Sequence, residues 1–188
     1  LEKKRLRDLD RLRLTELQYE KELLQLEKEK SERLLLNILP HPIAERLKRG
    51  ERTIADSHAQ VTVLFADLVG FTQLSSHTAP QDLVNLLNEV FTQFDHLAEK
   101  HGLEKIKTIG DNYMLVGGLP LPRGDHADAV ATMALEMVEK VALINETNQR
   151  QISIRIGINT GPVVAGVIGR KKFTYDLWGP AVNLASRM

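Results

Sequence analysis

An apolar run that ends on a carboxylate is the strongest constraint in this chain. Val61-Thr-Val-Leu-Phe-Ala opens the run, and Asp67-Leu-Val-Gly70-Phe71-Thr72 follows without a gap. The first six residues run or alternate apolar, the pattern of a strand buried in a sheet. Asp67 then stands where the strand should end, beside a glycine and a hydroxyl. A carboxylate so placed can hold a hard cation, and the backbone amides of the same loop can approach a phosphate. An isolated Asp at a strand exit is more often a turn cap. The rest of the chain has to supply the partners that a metal–phosphate site needs.

Composition narrows the field. The 188 residues suffice for one ordinary domain with an appendage, and 43% hydrophobic content allows a proper core. Lys plus Arg and Asp plus Glu balance at 25 each, so no general basic surface for nucleic acid is expected. With no cysteine, disulfides, zinc thiolate sites and cysteine nucleophiles are excluded. No run of 18 apolar residues and no charged-then-apolar leader occurs, so the sequence predicts neither a span nor a secretion signal. The start at Leu1 and the stop at Met188, inside an apparent helix, read as a fragment. Its expected setting is the cytoplasm, with membrane attachment left open for the parent.

Residues 1–50 read as a helical coiled-coil or signalling segment. The first 36 are rich in Leu, Glu, Lys and Arg and lack Gly and Pro, which favours helix throughout. In a heptad frame Leu9, Glu16 and Leu23 share one seam position, and Leu12, Tyr19 and Leu26 the other, predicting a short parallel coiled coil. Lys30 and Arg33 break that seam. Pro40 and Pro42 interrupt the helix, and Ile43 to Gly50 reads as a second, short one. Residues 51–60 read as a polar connector and residues 61–188 as the globular domain.

Within 61–188, Pro80 opens a helix to about His101, with Leu83, Leu86, Leu87, Val90, Phe91, Phe94 and Leu97 on one face. Leu103–Ile109 and Tyr113–Val116 flank Gly110-Asp111-Asn112 as a hairpin. Asp125 is placed to cap a helix reaching Thr147. Ile152–Ile158 alternates as a strand, Val163–Ile168 and Phe173–Leu177 form a second hairpin, and a last helix starts at Ala181. The pattern predicts an α/β (α+β) sandwich: a mostly antiparallel sheet covered by helices, preceded by the long N-terminal helix.

Asp67 and Asp111 both fall at strand ends or turns. If their strands are neighbours, the two carboxylates meet at one sheet edge and could hold two magnesium or manganese ions against phosphate oxygens. Asp111 taken alone reads more readily as a turn residue. Lys107 and Arg155 stand inside apolar strands and could simply face solvent. Asn183 and Arg187, four apart on the last helix, share a face. Arginine there suits charge building on a transferring phosphate, and asparagine suits a sugar. The six histidines (His41, His58, His77, His96, His101, His126) show no metal-like spacing, and the P-loop pattern is absent.

Four long motifs now stand in order. They are Phe65-Ala-Asp67-Leu-Val-Gly-Phe71-Thr72, Lys105-Ile-Lys107-Thr-Ile-Gly-Asp111-Asn-Tyr-Met, Arg155-Ile-Gly-Ile-Asn-Thr-Gly161-Pro-Val-Val-Ala-Gly166 and Tyr175-Asp176-Leu-Trp-Gly-Pro-Ala-Val-Asn183-Leu-Ala-Ser-Arg187-Met. Together they resemble the class III nucleotidyl cyclases over residues 58–188, with a ferredoxin-like, palm-type sheet. Residues 34–50 resemble the helical signalling segment that precedes many such domains. The resemblance implies that Asp67, Asp111 and the Leu68 carbonyl hold two Mg2+ or Mn2+ ions. It puts Phe71 and Thr72 in the triphosphate loop and Arg155 on the triphosphate. Asn183 would orient the ribose and Arg187 stabilise the transition state, both from the other protomer.

Lys107 and Asp176 match the two base-selecting positions, where guanylyl cyclases carry a Glu and a small residue, so ATP is the implied substrate. The implied assembly is a head-to-tail homodimer, with the metal set and the base set on opposite faces of one domain. The family's phosphate-contacting lysine lies downstream of Met188. Two other readings stay open: a guanylyl cyclase, and a non-catalytic dimerising nucleotide sensor.

Overall fold

The computed structural model describes residues 2–169 and 172–188, with side chains from residue 11 onward. It divides into two compact units, Leu1–Lys48 and Arg49–Met188.

In the first unit α1 spans Glu2–Leu36 and α2 His41–Lys48. Leu12, Tyr19, Leu23 and Leu26 are each more than half exposed. The heptad seam is therefore an uncovered apolar stripe on this helix, while the side chain of Leu9 lies outside the described residues. The short helix begins two residues earlier than the sequence suggests. Pro42 sits in its first turn, where a missing N–H removes no helical bond. Lys48 closes that helix against Glu45 at 2.8 Å and also pairs with Glu32.

The second unit is a five-stranded antiparallel sheet in the order β2-β3-β1-β4-β5. Its strands are β1 (Ile54–Leu68), β2 (Glu104–Ile109), β3 (Asn112–Gly117), β4 (Ile154–Ile168) and β5 (Thr174–Trp178). The helices are α3 (Phe71–His77), α4 (Pro80–His101), α5 (His126–Asn148) and α6 (Pro180–Ala185). Residues 51–60 are thus only in small part a connector, because β1 starts at Ile54, paired with Val167. A register shift between His58 and Val61 breaks the alternation that would have betrayed the strand's first half. The same irregularity explains why β4 runs through Pro162. Gly161 pairs with Val61 and Val163 with His58, so the proline falls where the ladder asks for no N–H.

One face of the sheet is the main core. Leu64, Ala66, Leu68, Tyr113 and Leu115 pack under Val90, Phe94 and Leu97 of α4 and Val130, Met133 and Met137 of α5. The alternate residues Val63, Phe65, Met114 and Val116 point the other way and are also buried. On that second face α6 passes close over β4. A Cβ on Gly157 would stand 2.2 Å from the Ala185 carbonyl oxygen, and one on Gly161 would stand 3.2 Å from the Ala181 methyl group. Only a residue without a side chain permits the first approach.

Two polar details set the start of α5. The buried Thr62 hydroxyl lies 2.7 Å from His126 Nδ1 and 2.7 Å from the Thr160 hydroxyl. Asp125 occupies the N-cap position but makes no side-chain cap bond. Its carboxylate instead accepts two 2.7 Å bonds from Arg123, and that guanidinium holds its pKa down at about 2. A charged partner two residues away outcompetes the backbone amides.

Candidate active site

The site begins with a row across three strands. Asp67 on β1 is directly opposite Asn112 on β3 and Arg155 on β4. By strand alternation these three share the sheet face that carries Phe65 and Met114, away from α4 and α5. The Arg155 guanidinium donates to Asp67 Oδ2 at 2.6 Å. Asp111 comes to the same place from the β2–β3 turn. Its carboxyl lies close enough to that of Asp67 for the two charges to interact. Burial first, and then the neighbouring Asp67 charge, push the Asp111 pKa up. A cation beside the two carboxyls would relieve that repulsion.

Several observations fit a hard cation. The Asp111 carboxyl feels the Asp67 charge, and Asn112 Oδ1 is buried with no hydrogen-bond partner. Leu68 has its side chain in the core, 4% exposed, so its backbone is what it presents here. Among the described residues no three His, Cys, Asp or Glu side chains gather. A cation held here would draw its remaining oxygens from backbone, water and phosphate, the habit of magnesium.

Phe71 and Thr72 form the first turn of α3, just after Gly70, which adopts φ 74°. Phe71 is half-buried against the core and Thr72 is exposed. A small open cleft of about 160 Å³ lies over the row, lined by Phe65, Asp67, Asn112, Arg155, Gly157 and residues 185–188. That is room for an ion and part of a phosphate chain, well short of the roughly 300–1,000 Å³ that a whole small-molecule ligand fills.

Lys107 and Asp176 meet. Their strands are the two edges of the sheet, yet Lys107 Nζ lies 2.5 Å from Asp176 Oδ2. The far ends of β1 and β4, beyond the register shift, bring β5 back towards β2. Asp176 also accepts the Leu177 N–H at 2.9 Å. Lys107 faces the same side as its neighbour Met114, hence the same side as Asp67. The expectation that metal and base sets occupy opposite faces of one domain is therefore corrected: one sheet face carries both.

The last helix departs from expectation too. It ends at Ala185, so Asn183 and Arg187 do not share a helical face. Arg187 N instead bonds the Leu184 carbonyl, a tightened turn. Arg187 then lines the cleft beside Asp67 of its own chain, where the resemblance assigns it to the opposite protomer. The bare backbone of Gly157 is what lets the chain come so near. Asn183 is exposed on α6. Sequence reading missed Asn112 and the Asp67–Arg155 pair. Strand register determines both, and no spacing rule reports register.

Two aspartates at one sheet edge, a phosphate-sized cleft and a lysine–aspartate couple thus stand on one antiparallel sheet. Residues 53–188 match the model of the adenylate and guanylate cyclase catalytic domain, and the chain belongs to that family. It is 53% identical over 163 residues to an adenylate cyclase of Mycobacterium tuberculosis, covering 86% of this chain and 37% of that protein. It is 47% identical over 165 residues to the human atrial natriuretic peptide receptor 2, covering 86% and 16% respectively. Among solved structures it resembles the catalytic core of a rhodopsin-guanylyl cyclase with converted specificity, in complex with ATPalphaS. There the TM-score is 0.68 at 42% identity, over 71% of this chain and 73% of that one. The chain thus spans little more than a third of the adenylate cyclase it matches.

Proposed function

We propose that this domain is an adenylyl cyclase. The 3′-hydroxyl of ATP attacks the α-phosphorus, the bond to the bridging oxygen of pyrophosphate breaks, and cyclic AMP and pyrophosphate leave. The observation that carries the reading is the Lys107–Asp176 couple, 2.5 Å apart, with Lys107 on the sheet face of Asp67. An ammonium donates to adenine N1 and a carboxylate accepts from the exocyclic amine. Guanine offers a protonated N1 and a carbonyl, so both contacts would be mispaired. Unmatched polar groups typically cost about 1–3 kcal/mol each, enough to set a strong preference.

Asp67, Asp111 and the Leu68 carbonyl would hold two Mg2+ or Mn2+ ions, which lower the pKa of the attacking hydroxyl and offset charge on the leaving pyrophosphate. Arg155 donates to the triphosphate, and the Phe71–Thr72 turn lies along it. Asn183 orients the ribose, and Arg187 stabilises the negative charge that grows on the α-phosphoryl oxygens. A head-to-tail homodimer completes each site, with the exposed seam of α1 as a parallel coiled coil. The cleft's small volume supports a site finished by a second chain, as does the exposed Trp178–Val164 pair flanking Asp176 on the β4–β5 ribbon. The reading places the domain in the cytoplasm. No described helix is long and apolar enough to cross a membrane.

The test is a product assay with ATP or GTP and Mg2+ or Mn2+. Cyclic AMP as main product is expected, with loss on Asp67→Ala. Cyclic GMP as main product would favour the guanylyl alternative. Nucleotide binding without either product would favour the sensor.

A further inference from the structure

Lys105 and Lys107 stand two residues apart on β2, a spacing that puts both on one face of a regular strand. In this sheet they face opposite ways. Lys105 is opposite Leu115 and Lys107 opposite Met114, so Ile106 is an extra residue without a counterpart on β3. This is a β-bulge on an edge strand, where no second neighbour fixes the register. Shifting the extra position by one, from Ile106 to Lys107, would put the Ile106 side chain opposite Met114. An apolar group would then replace the Lys107 ammonium that meets Asp176.

Something must hold the bulge, and Asp95 of α4 is built to do so. Lys105 Nζ lies 2.7 Å from Asp95 Oδ1 and 2.8 Å from Oδ2. The same carboxylate accepts the Tyr113 hydroxyl at 2.7 Å. The Lys105 ammonium also stands 5.1 Å from the centre of the Tyr113 ring, within cation–π range. Asp95 therefore grips both strands of the hairpin from the core face, one residue before the bulge on β2 and one before Met114 on β3. Tyr113 is wholly buried, and its ring meets Phe94 edge-on at 5.5 Å, so the grip has a rigid anchor.

We propose that the Asp95–Lys105–Tyr113 clamp is a positioning element for base selection. It pins the bulge at Ile106 and thereby sends Lys107 to Asp176, without touching nucleotide itself. The inference rests on the reading that Lys107 and Asp176 choose the base.

The whole chain is compared as Asp95→Ala, Asp95→Asn, Lys105→Met, Tyr113→Phe and Lys107→Met. The quantity read is the ATP-to-GTP ratio, both in kcat/KM and in dissociation constants measured with Mn2+. Asp95→Ala and Lys105→Met should each lower the ratio about tenfold, the scale of one misplaced polar contact. Lys107→Met should lower it at least as far. Lys105→Met combined with Lys107→Met should lower it no further than Lys107→Met alone, because the two act through one contact. Lys105→Arg should retain the ratio, and amide exchange over residues 104–109 should quicken in Asp95→Ala. If Asp95→Ala fails to fold, Lys105→Met and the milder Asp95→Asn carry the same test. A ratio that falls in Lys107→Met but stays within about twofold in Lys105→Met and Asp95→Asn would refute the clamp and leave the base assignment standing. Full additivity in the double variant would refute it as well. A ratio unmoved in every variant would remove the base assignment and the clamp together.

Discussion

Asp67 and Arg155 face each other across the β1–β4 ladder and are joined by a 2.6 Å charge-assisted hydrogen bond. The guanidinium is two-thirds exposed and the carboxylate one-quarter exposed, so the arginine is free to swing while the aspartate is held. A divalent cation on Asp67 competes with Arg155 for the same oxygen, and a triphosphate offers the arginine new acceptors. Arg155→Met should therefore have effects of opposite sign. Without nucleotide, Mn2+ should bind more tightly, as read by the free-ion paramagnetic resonance signal. With nucleotide, kcat/KM should fall about 10- to 100-fold, the worth of a charge-assisted bond to phosphate. Weaker Mn2+ binding in the variant would show that the pair does not compete with the metal.

The Lys107–Asp176 couple yields a sharper exchange. Lys107→Glu with Asp176→Ser replaces donor and acceptor by groups that suit guanine N1–H and O6. The double variant should make cyclic GMP in preference to cyclic AMP, with the ATP-to-GTP ratio in kcat/KM moving at least about a hundredfold. Either substitution alone leaves one mispaired contact and should lower both activities. Chromatographic quantification of both products decides it.

Motif chemistry was legible in the sequence because it is local. Asp67 at a strand exit, Asp111 in a hairpin turn and the core face of α4 all follow from periodicity and turn residues. The geometry that makes a site of them comes from register and bending, which are not local. The bulge at Ile106 sends Lys105 and Lys107 to opposite faces. The irregularity between His58 and Val61 hid half of β1 and lets β5 fold back to β2. Asp125 reads as a cap until Arg123 takes its carboxylate, a choice between two partners that composition cannot rank.

Glu104 makes stability depend on pH. Burial raises its pKa from 4.5 to about 7, with no compensating charge among the causes. Below 4.5 the group is neutral folded or unfolded and costs nothing. Between 4.5 and 7 the unfolded chain loses the proton while the folded chain keeps it, so stability falls as pH rises, and the penalty is complete above 7. Allowing for partial exposure, the loss is on the order of 1–2 kcal/mol. Glu104→Gln should abolish it. Urea midpoints of the two proteins should coincide near pH 4.5 and diverge by pH 8, the variant being the more stable. Parallel curves would show that Glu104 titrates normally in the fold.

Arg187 poses the question of which chain completes which site. It lines the cleft beside Asp67 of its own chain, yet the proposed homodimer has it serve the partner's metals. Mixing two inactive variants separates these arrangements. Suppose Asp67→Ala chains are co-refolded with Arg187→Ala chains. If the arginine acts across the interface, each mixed dimer holds one site with both intact residues and one with neither. Random pairing makes half the dimers mixed, so recovered specific activity should be about a quarter of wild type. If Arg187 acts within its own chain, every site in every dimer lacks one residue and no activity returns. Recovery near a quarter, rising when mixed dimers are purified, is the expected result. No recovery from chains shown to exchange would assign Arg187 to the cleft in which it lies.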